Sequence, residues 1–358
     1  MASLDTRITE LLNIEYPIVQ APMAGGATTP ELVAAASNAG GLGSLGAGYT
    51  PPGVLRETIS HIRNLTDRPF AVNLFVPEAF EVNEELVDHT NTLMRPYRED
   101  LGIESPTGAL SYAPSFAEQL AVVLETRVPV FSFTFGVPED EQLSELKEAG
   151  VTVLGTATTV REARTLEEAG VDVVVGQGAE AGGHRGTFLG GYADALVGTM
   201  ALIPQLVDAV SVPIVASGGI MDGRGLAAAL MLGAEAVQMG TAFLTTQESG
   251  AHPEHKKAVL GAVEEDTVVT RAFSGKPARG IKNRFLSEMD EHEKKIPPYP
   301  VRNTWTKDIR SAAQEQDRPE LMSLWAGQGS RMGRSQFAGE LVERVAAEAN
   351  TALQGGSG

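Results

Sequence analysis

The sequence predicts an α/β protein built on a TIM (β/α)8 barrel with a small helical lid subdomain. Three observations favour this fold. Short apolar, β-branched runs alternate with segments of helical periodicity, which is the pattern of βα units around a parallel sheet. Eight such runs occur, and most end in glycine or a small polar residue. Glycine makes up 39 of the 358 residues, above its usual share of about 7%.

The eight predicted strands follow one another from residue 17 to residue 243. The segments between them include helices such as ELVAAASNAG and DGRGLAAALMLGAE. Several of these helices end in Ala-Gly or Leu-Gly, where glycine can adopt the left-handed conformation that closes a helix. The predicted strands are residues 17–23, 41–48, 70–76, 128–135, 151–157, 171–178, 212–219 and 236–243.

Two segments interrupt the repeat of strands and helices. Residues 78–116 are acidic and contain several prolines, which predicts an excursion over one end of the barrel. Residues 250–321 include SGKPARGIKNRF and KKIPPYPVRN and predict a small helical lid subdomain at the same end. We therefore expect the barrel to span residues 1–249 and to be completed by a C-terminal helix within residues 322–358.

Charge and composition exclude several classes of partner and chemistry. With 28 basic and 46 acidic residues, the net charge of −18 repels nucleic acid and anionic membrane surfaces. No stretch approaches the roughly 20 apolar residues of a membrane helix, and the N-terminus does not resemble a signal peptide, so we expect a cytoplasmic protein. The chain has no cysteine. Thiolate catalysis and cysteine-ligated metals are therefore excluded, and redox chemistry would need an organic cofactor.

The carboxyl ends of the strands supply the candidate site, because TIM barrels form their active sites there. Gly218-Gly219 and Gly240-Thr241 follow the seventh and eighth strands. Glycine has no side chain to shield its backbone amide, so the amides of such turns can surround an anion. The two turns therefore predict a phosphate site. The alternative is that these glycines only shape tight turns between strand and helix. The other residues at strand ends include Met23, Asn73, Gln177, Gly182, Gln238 and Met239.

A second glycine pattern is excluded as a dinucleotide site. Residues 41–46 match G-x-G-x-x-G. A dinucleotide fingerprint follows a strand and opens a helix, whereas this run follows a helix and is itself predicted to be a strand.

His184 is the candidate base. It lies in the glycine-rich run 176–186 after the sixth strand, and a histidine with a pKa near neutrality suits proton abstraction. The alternative is a histidine that only orders its loop. No partner ligands at metal-binding spacing are visible, so no metal site is predicted. The other histidines lie in charged stretches that favour a solvated surface, and they are His61, His89, His252, His255 and His292.

Motifs along nearly the whole chain resemble those of the nitronate monooxygenases, formerly called 2-nitropropane dioxygenases, of the bacterial propionate 3-nitronate type. In order they are QAPMAGG, VNLFVP, SFTFGVP, GTATTV, GQGAEAGGHRGTF, PIVASGGIMDGRG, GAEAVQMGTAFLTTQES and SGKPARGIKNRF. The resemblance implies an FMN-dependent TIM barrel with a small helical lid. It also implies oxidation of alkyl nitronates, such as propionate 3-nitronate, by O₂ to a carbonyl compound and nitrite.

The resemblance also implies roles for individual residues. It makes His184 the catalytic base. Thr134 stands where some relatives carry a histidine, and Lys276, Arg279 and Lys282 correspond to lid cations that could attract an anionic nitronate or simply be surface charge. Taken with the strand-end argument, the predicted FMN-binding residues are Met23, Asn73, Gln177, Gly182, Gly218, Gly219, Gln238, Met239, Gly240 and Thr241.

Two other functions remain open at this point. One is an FMN-dependent NAD(P)H reductase of the enoyl-acyl-carrier-protein or quinone reductase type on the same scaffold. Residues 271–284 offer the one basic patch on which an acidic carrier protein could dock. The other is a flavin-binding protein without catalysis, which would not need His184. The sequence predicts no oligomeric state.

Overall fold

The strands of the protein form two sheets. The computed structural model of the chain describes residues 3–106 and 111–355. Its strands are β1 (Ile18–Gln20), β2 (Gly43–Gly46), β3 (Phe70–Phe75), β4 (Val130–Thr134), β5 (Thr152–Ala157), β6 (Val173–Gln177), β7 (Gly183–His184), β8 (Ile214–Ser217), β9 (Ala236–Met239), β10 (Thr267–Thr270) and β11 (Ala278–Ile281).

The larger sheet is a barrel of eight parallel strands. Its order is β1-β9-β8-β6-β5-β4-β3-β2, and a parallel bridge between Val19 and Leu42 links the two ends. Each of the eight predicted runs contains one of these strands, so the predicted TIM barrel is confirmed.

The α-helices lie between and after the strands. They are α1 (Arg7–Leu12), α2 (Pro30–Asn38), α3 (Pro52–Leu65), α4 (Glu84–Leu101), α5 (Phe116–Glu125), α6 (Asp140–Glu148), α7 (Val160–Glu168), α8 (Thr199–Ala209), α9 (Gly223–Met231), α10 (Thr241–Leu244), α11 (Pro253–Gly261), α12 (Arg284–Met289), α13 (Val301–Trp305), α14 (Lys307–Glu315) and α15 (Ala338–Leu353). Short 3-10 helices span Asp290–Lys295, Pro319–Leu321 and Ser330–Met332.

Local sequence signals explain where the outer helices begin and end. The side chains of Thr29, Thr159 and Asp222 accept hydrogen bonds from the first turns of α2, α7 and α9. The predicted glycine endings are also present, because Gly40, Gly150, Gly170 and Gly233 have φ of 90°, 74°, 83° and 93°. These values lie in the left-handed region that favours glycine.

The barrel interior is apolar at the end where the strands begin. Val19, Val130 and Val215 point inward and form one buried cluster with Ile8 and Leu12 of α1. Helix α1 therefore closes this end of the barrel. At the outside of the barrel, α15 packs against α2 and α9 and contributes Leu341, Val342 and Val345 to the outer core.

A second apolar core lies beside the barrel. In it Met94 and Tyr97 of α4 pack with Phe273, Phe285 and Ile309 from the predicted lid segment. The predicted excursion thus packs on that segment. Three parts of the predicted ranges, residues 1–2, 107–110 and 356–358, lie outside the described residues. The domain boundaries stay a prediction.

The predicted lid segment also contains strands, which the sequence did not indicate. Strands β10 and β11 pair antiparallel, and β11 pairs in turn with β7, which belongs to the loop after β6. Over the described ranges, no helix is both long and apolar enough to cross a bilayer.

Candidate active site

A cavity of about 790 Å³ opens at the carboxyl ends of the barrel strands. Most of the residues predicted from the sequence line it together, from different strands and loops. They are Met23, Asn73, Thr134, Gln177, Gly182, His184, Gly218, Gly219, Gln238, Gly240 and Thr241.

The floor of this cavity is a ring of polar side chains at the top of the barrel interior. Side chains of a strand return to the same face every second residue. Two residues after the buried Ala71, Val130, Leu154, Val175, Val215 and Ala236, the inward position is polar in every case. The polar residues are Asn73, Ser132, Thr156, Gln177, Ser217 and Gln238, and all of them line the cavity.

The turns after β8 and β9 are suited to bind a phosphate. Gly218 and Gly219 line the cavity. Their φ values of 121° and 72° are disfavoured for residues that carry a side chain. Within the described part of the chain, the amides of Gly219, Gly240 and Thr241 have no hydrogen-bond acceptor. These unsatisfied groups fit a bound molecule that carries one phosphate, as FMN does.

Gly182 serves main-chain packing. A Cβ atom at this position would lie 2.5 Å from both the carbonyl carbon of Ala326 and the amide nitrogen of Gly327. The loop after β6 therefore touches the segment that follows the predicted lid. The amide of Gly327 in turn donates to Thr241 Oγ1 at 2.9 Å, which ties this contact to the predicted phosphate turn.

The side chains of Asn73 and Gln177 are held by hydrogen bonds. Asn73 Nδ2 donates to Ser132 Oγ at 2.9 Å, while its Oδ1 forms no hydrogen bond with the described residues. Gln177 Nε2 donates to the carbonyl of His184 at 3.1 Å, and its Oε1 accepts from the amide of Gly186 at 2.8 Å. Gln177 thereby fixes the backbone from the candidate base to Gly186.

His184 lies on β7, inside an aromatic enclosure at the cavity wall. The centres of the Phe135, Tyr299 and Trp325 rings lie 5.9, 6.0 and 5.6 Å from the centre of its imidazole. Its Nε2 lies 2.8 Å from Ser274 Oγ. Burial, followed by the positive charges of Lys276 and Arg310, lowers the pKa of His184 to about 3. The side chain is therefore neutral at physiological pH, and its pKa lies below the near-neutral value expected from the sequence.

Four residues to which the sequence analysis gave a site role lie outside the cavity lining. Met239 packs in the outer core, because it faces the opposite way from its neighbour Gln238. Lys276 Nζ pairs with Glu78 Oε1 at 2.6 Å. Arg279 Nε and Nη2 donate to the carbonyl of Ala179 at 3.1 and 3.0 Å. Both cations are thus engaged within the protein, and Lys282 is exposed.

Other cavity residues were missed by sequence reasoning. Arg310 of α14 lines the cavity, donates through Nη2 to the carbonyl and Oδ1 of Asn303, and forms no ion pair with any described carboxylate. Burial lowers its pKa. A guanidinium in this position can bind an anionic ligand. No local pattern indicated it, because its position depends on how α14 packs on the barrel.

The surface assignment of His255 is wrong. Its side chain lines the cavity, and its Nε2 donates to the carbonyl of Trp325 at 3.0 Å. Burial lowers its pKa to about 4. His252 also lines the cavity. Both histidines lie at the start of α11 and face inward, whereas Lys257 of the same helix is exposed.

Two buried charged residues hold the long loop between β6 and α8. Glu162 of α7 accepts hydrogen bonds from the amides of Thr158, Phe188 and Leu189 at 2.7, 2.6 and 2.9 Å. The guanidinium of Arg185 donates to carbonyls of the same loop, those of Gln177, Gly178 and Ala195. These contacts fix the backbone that carries His184. In the described ranges, no group of three or more histidine and acidic side chains is placed to hold a metal.

Comparison with known proteins bears on what this site does. The family model described as nitronate monooxygenase matches residues 5–348. The chain is 50% identical over 351 residues to a probable nitronate monooxygenase of Staphylococcus haemolyticus, covering 98% of each chain. It resembles the solved structure of a nitroalkane oxidase from Streptomyces ansochromogenes, with a TM-score of 0.90, 44% identity and coverage of 98% and 99%. It also resembles FabK from Thermotoga maritima, with a TM-score of 0.78, 33% identity and coverage of 99% and 98%.

Proposed function

The chain belongs to the nitronate monooxygenase family, and we propose that it uses FMN to oxidise alkyl nitronates with O₂ to a carbonyl compound and nitrite. One observation supports this proposal above others. The same cavity holds two glycine turns, whose amides have no acceptor among the described residues, and a neutral histidine in an aromatic enclosure. Propionate 3-nitronate is the substrate we expect, from the type of family member that the motifs resemble.

The residues of this chain would divide the work of binding the cofactor. The amides of Gly219, Gly240 and Thr241 would hold the phosphate, and Asn73 Oδ1 and Gln238 would meet the polar edge of the flavin ring. Bound FMN would supply the electron-accepting chemistry, which none of the protein side chains provides.

Other residues of the cavity lining would handle the substrate. Arg310 would attract the negative charge of a nitronate, since no described carboxylate neutralises it. Phe135 and Trp325 line the cavity and would exclude water from the reacting carbon. A nitronate has already lost its α-proton. Only a neutral nitroalkane would need His184 to remove one.

The resemblance to FabK is the observation that favours a reductase as the second candidate. Its identity and TM-score are lower than those of the likeness to the nitroalkane oxidase. A flavin-binding protein without catalysis is the third candidate. A His184→Ala protein that retains flavin but loses turnover would argue against that third candidate.

One set of measurements on the purified protein tests the proposal. We expect a yellow protein whose released flavin is FMN, nitrite formation from propionate 3-nitronate in the presence of O₂, and no appreciable oxidation of NADH. FAD in place of FMN would contradict the cofactor assignment. NADH oxidation without nitrite formation would favour the reductase.

A further inference from the structure

We infer that Ser274 is a positioning residue that fixes the neutral imidazole of His184 as the Nε2–H tautomer, which makes Nδ1 the atom that accepts a proton. The two side chains lie 90 positions apart in the sequence, and Ser274 Oγ is 2.8 Å from His184 Nε2. The nature of the proton donor rests on the proposed function. The tautomer itself does not.

The hydrogen bonds of the Ser274 hydroxyl determine which partner donates. A hydroxyl has one proton to donate and two lone pairs to accept with. Ser274 Oγ lies 3.0 Å from the carbonyl oxygen of Lys276, which can only accept, so the hydroxyl proton is directed there. The amide of Lys276 donates to the same Oγ at 3.3 Å. One lone pair remains, and it faces His184 Nε2, which must therefore carry a proton.

The reverse arrangement would leave a buried group unsatisfied. If Ser274 donated its proton to His184 Nε2, the carbonyl of Lys276 would lose its donor. No other described residue donates to that carbonyl. Ser274 and Lys276 are both buried, so water cannot easily replace the lost bond. The hydrogen-bond network around Ser274 therefore selects one tautomer of His184.

The other ring nitrogen of His184 is left free to act as a base. Nδ1 forms no hydrogen bond with the described residues. It retains accessible surface, so it faces the open space of the cavity. The depressed pKa of His184 agrees with a neutral ring that has one unprotonated nitrogen.

The proton balance of the step follows from this arrangement. With a neutral nitroalkane, the proton leaves the α-carbon and binds to Nδ1, and the electron pair of the broken C–H bond stays on the substrate as the nitronate. The ring becomes an imidazolium ion whose Nε2–H still donates to Ser274. Ser274 keeps its own proton, which stays in the hydrogen bond to the carbonyl of Lys276, and it relays no proton.

Nitrogen NMR of the holoenzyme labelled with ¹⁵N-histidine tests the tautomer directly. Long-range proton–nitrogen correlations distinguish the protonated ring nitrogen from the free one, and a His184→Gln sample identifies the signals of His184. We expect a single Nε2–H tautomer at neutral pH in the wild-type protein and in Ser274→Thr, which keeps the hydroxyl. We expect the Nδ1–H tautomer to appear in Ser274→Ala.

Ser37→Ala is the matched control. Its buried hydroxyl also donates to a backbone carbonyl, that of Pro69 at 2.8 Å, and accepts from the amide of Gly43 at 3.0 Å, but it has no histidine partner. This variant should keep the wild-type histidine spectrum. An Nδ1–H tautomer in the wild-type protein would overturn the inference, and so would an unchanged tautomer in Ser274→Ala.

Steady-state kinetics provide a second test of the same inference. Ser274→Ala should lower kcat with a neutral nitroalkane by about fivefold to tenfold, the worth of roughly one hydrogen bond, and should change turnover of a preformed nitronate much less. FMN content should not change. Equal losses on both substrates would contradict a role through the base. Inactivity on every nitro compound would count against the proposed function, while the spectra would still report the tautomer.

Discussion

The ammonium group of Lys276 lies 4.5 Å from the centre of the Phe135 ring. Phe135 follows β4 with φ of 80°, an unusual conformation for a bulky side chain, and its ring lies 5.9 Å from that of His184. The positive charge thus lies just beyond the aromatic wall of the candidate base. Its pairing with Glu78 holds it there.

We predict that Lys276→Met raises the pKa of His184. Lys276 disfavours the protonated ring, so removing its charge should move the pKa upward from about 3. The value should stay below 6.5, because burial is the larger cause and persists. An NMR titration of the labelled histidine measures this change. Lys257→Met, which alters an exposed lysine, is the control, and an unchanged pKa in Lys276→Met would contradict the assignment.

The replacement of His184 should separate the two classes of substrate. General-base catalysis contributes about 10²–10⁴-fold, so His184→Asn should lose turnover of nitroethane on that order and lose much less with ethyl nitronate. Steady-state nitrite formation measures both rates. Equal losses would mean that His184 only orients the substrate. For wild-type enzyme acting on a nitronate, no rate change from His184 ionisation is expected between pH 5 and pH 8, since the pKa is about 3.

The two glycine turns should respond differently to a side chain. Gly240 has a negative φ of −103°, and a Cβ there meets only the Cβ of Ala21, at 3.6 Å. Gly240→Val should therefore remove FMN while leaving the flavin-free protein about as stable as before. Gly219→Val should also destabilise the fold, by about 1–2 kcal/mol, because its φ is 72°. Flavin absorbance and urea unfolding of the flavin-free proteins measure the two effects, and full FMN occupancy in Gly240→Val would exclude this turn as the phosphate site.

Stability should fall in acid because His184 and His255 are neutral in the folded protein. In the folded protein their pKa values are about 3 and about 4, whereas an unfolded histidine has a pKa near 6.5. The unfolded chain therefore binds more protons between these values, and the free energy of unfolding decreases as the pH falls from about 6.5 to about 4.

His255→Gln tests this pH dependence, because glutamine can still donate to the carbonyl of Trp325. We expect a smaller loss of stability between pH 6.5 and pH 4 than in the wild-type protein, measured by urea unfolding. His61→Gln changes an exposed histidine and should leave the wild-type slope. Parallel slopes for all three proteins would argue against a neutral His255 in the folded protein.

Glu162 should be a stability residue for the loop that carries His184. Glu162→Gln replaces one acceptor oxygen by a donor that faces backbone amides or a hydroxyl, so we expect a loss of about 2 kcal/mol in the free energy of unfolding. Glu168→Gln, at an exposed position on the same helix, is the control and should change stability little. Hydrogen exchange of the Phe188 and Leu189 amides should accelerate in Glu162→Gln and stay slow in Glu168→Gln.

The barrel could be predicted because its signals are local. A short apolar run indicates each strand, and glycines such as Gly150 and Gly170 end the helices. The inward positions of the site could also be predicted from alternation along the strands, which places Gln238 inside the barrel and Met239 outside. The same period of two turns the side chain of Met239 away from the cavity.

The part of the cavity lining that lies outside the barrel strands could not be predicted from local patterns. Strand β7 is two residues long and exists because β11, almost a hundred residues later, pairs with it. Arg310 and His255 lie in charged stretches whose composition is typical of a solvent-exposed surface. Only the packing of α11 and α14 turns them toward the cavity. Ser274 meets His184 through the same long-range pairing.

The pairing of β7 with β11 constrains how ligands exchange. His184 is paired with Ala278, and the amide of the following residue, Arg185, donates to the carbonyl of Pro277 at 2.8 Å. If residues 250–321 swung away as a rigid unit, they would either carry the histidine with them or break this short sheet. We therefore expect β7 and β11 to stay paired while small molecules enter and leave the cavity, and we expect their exchange to depend on side-chain motion at the cavity mouth.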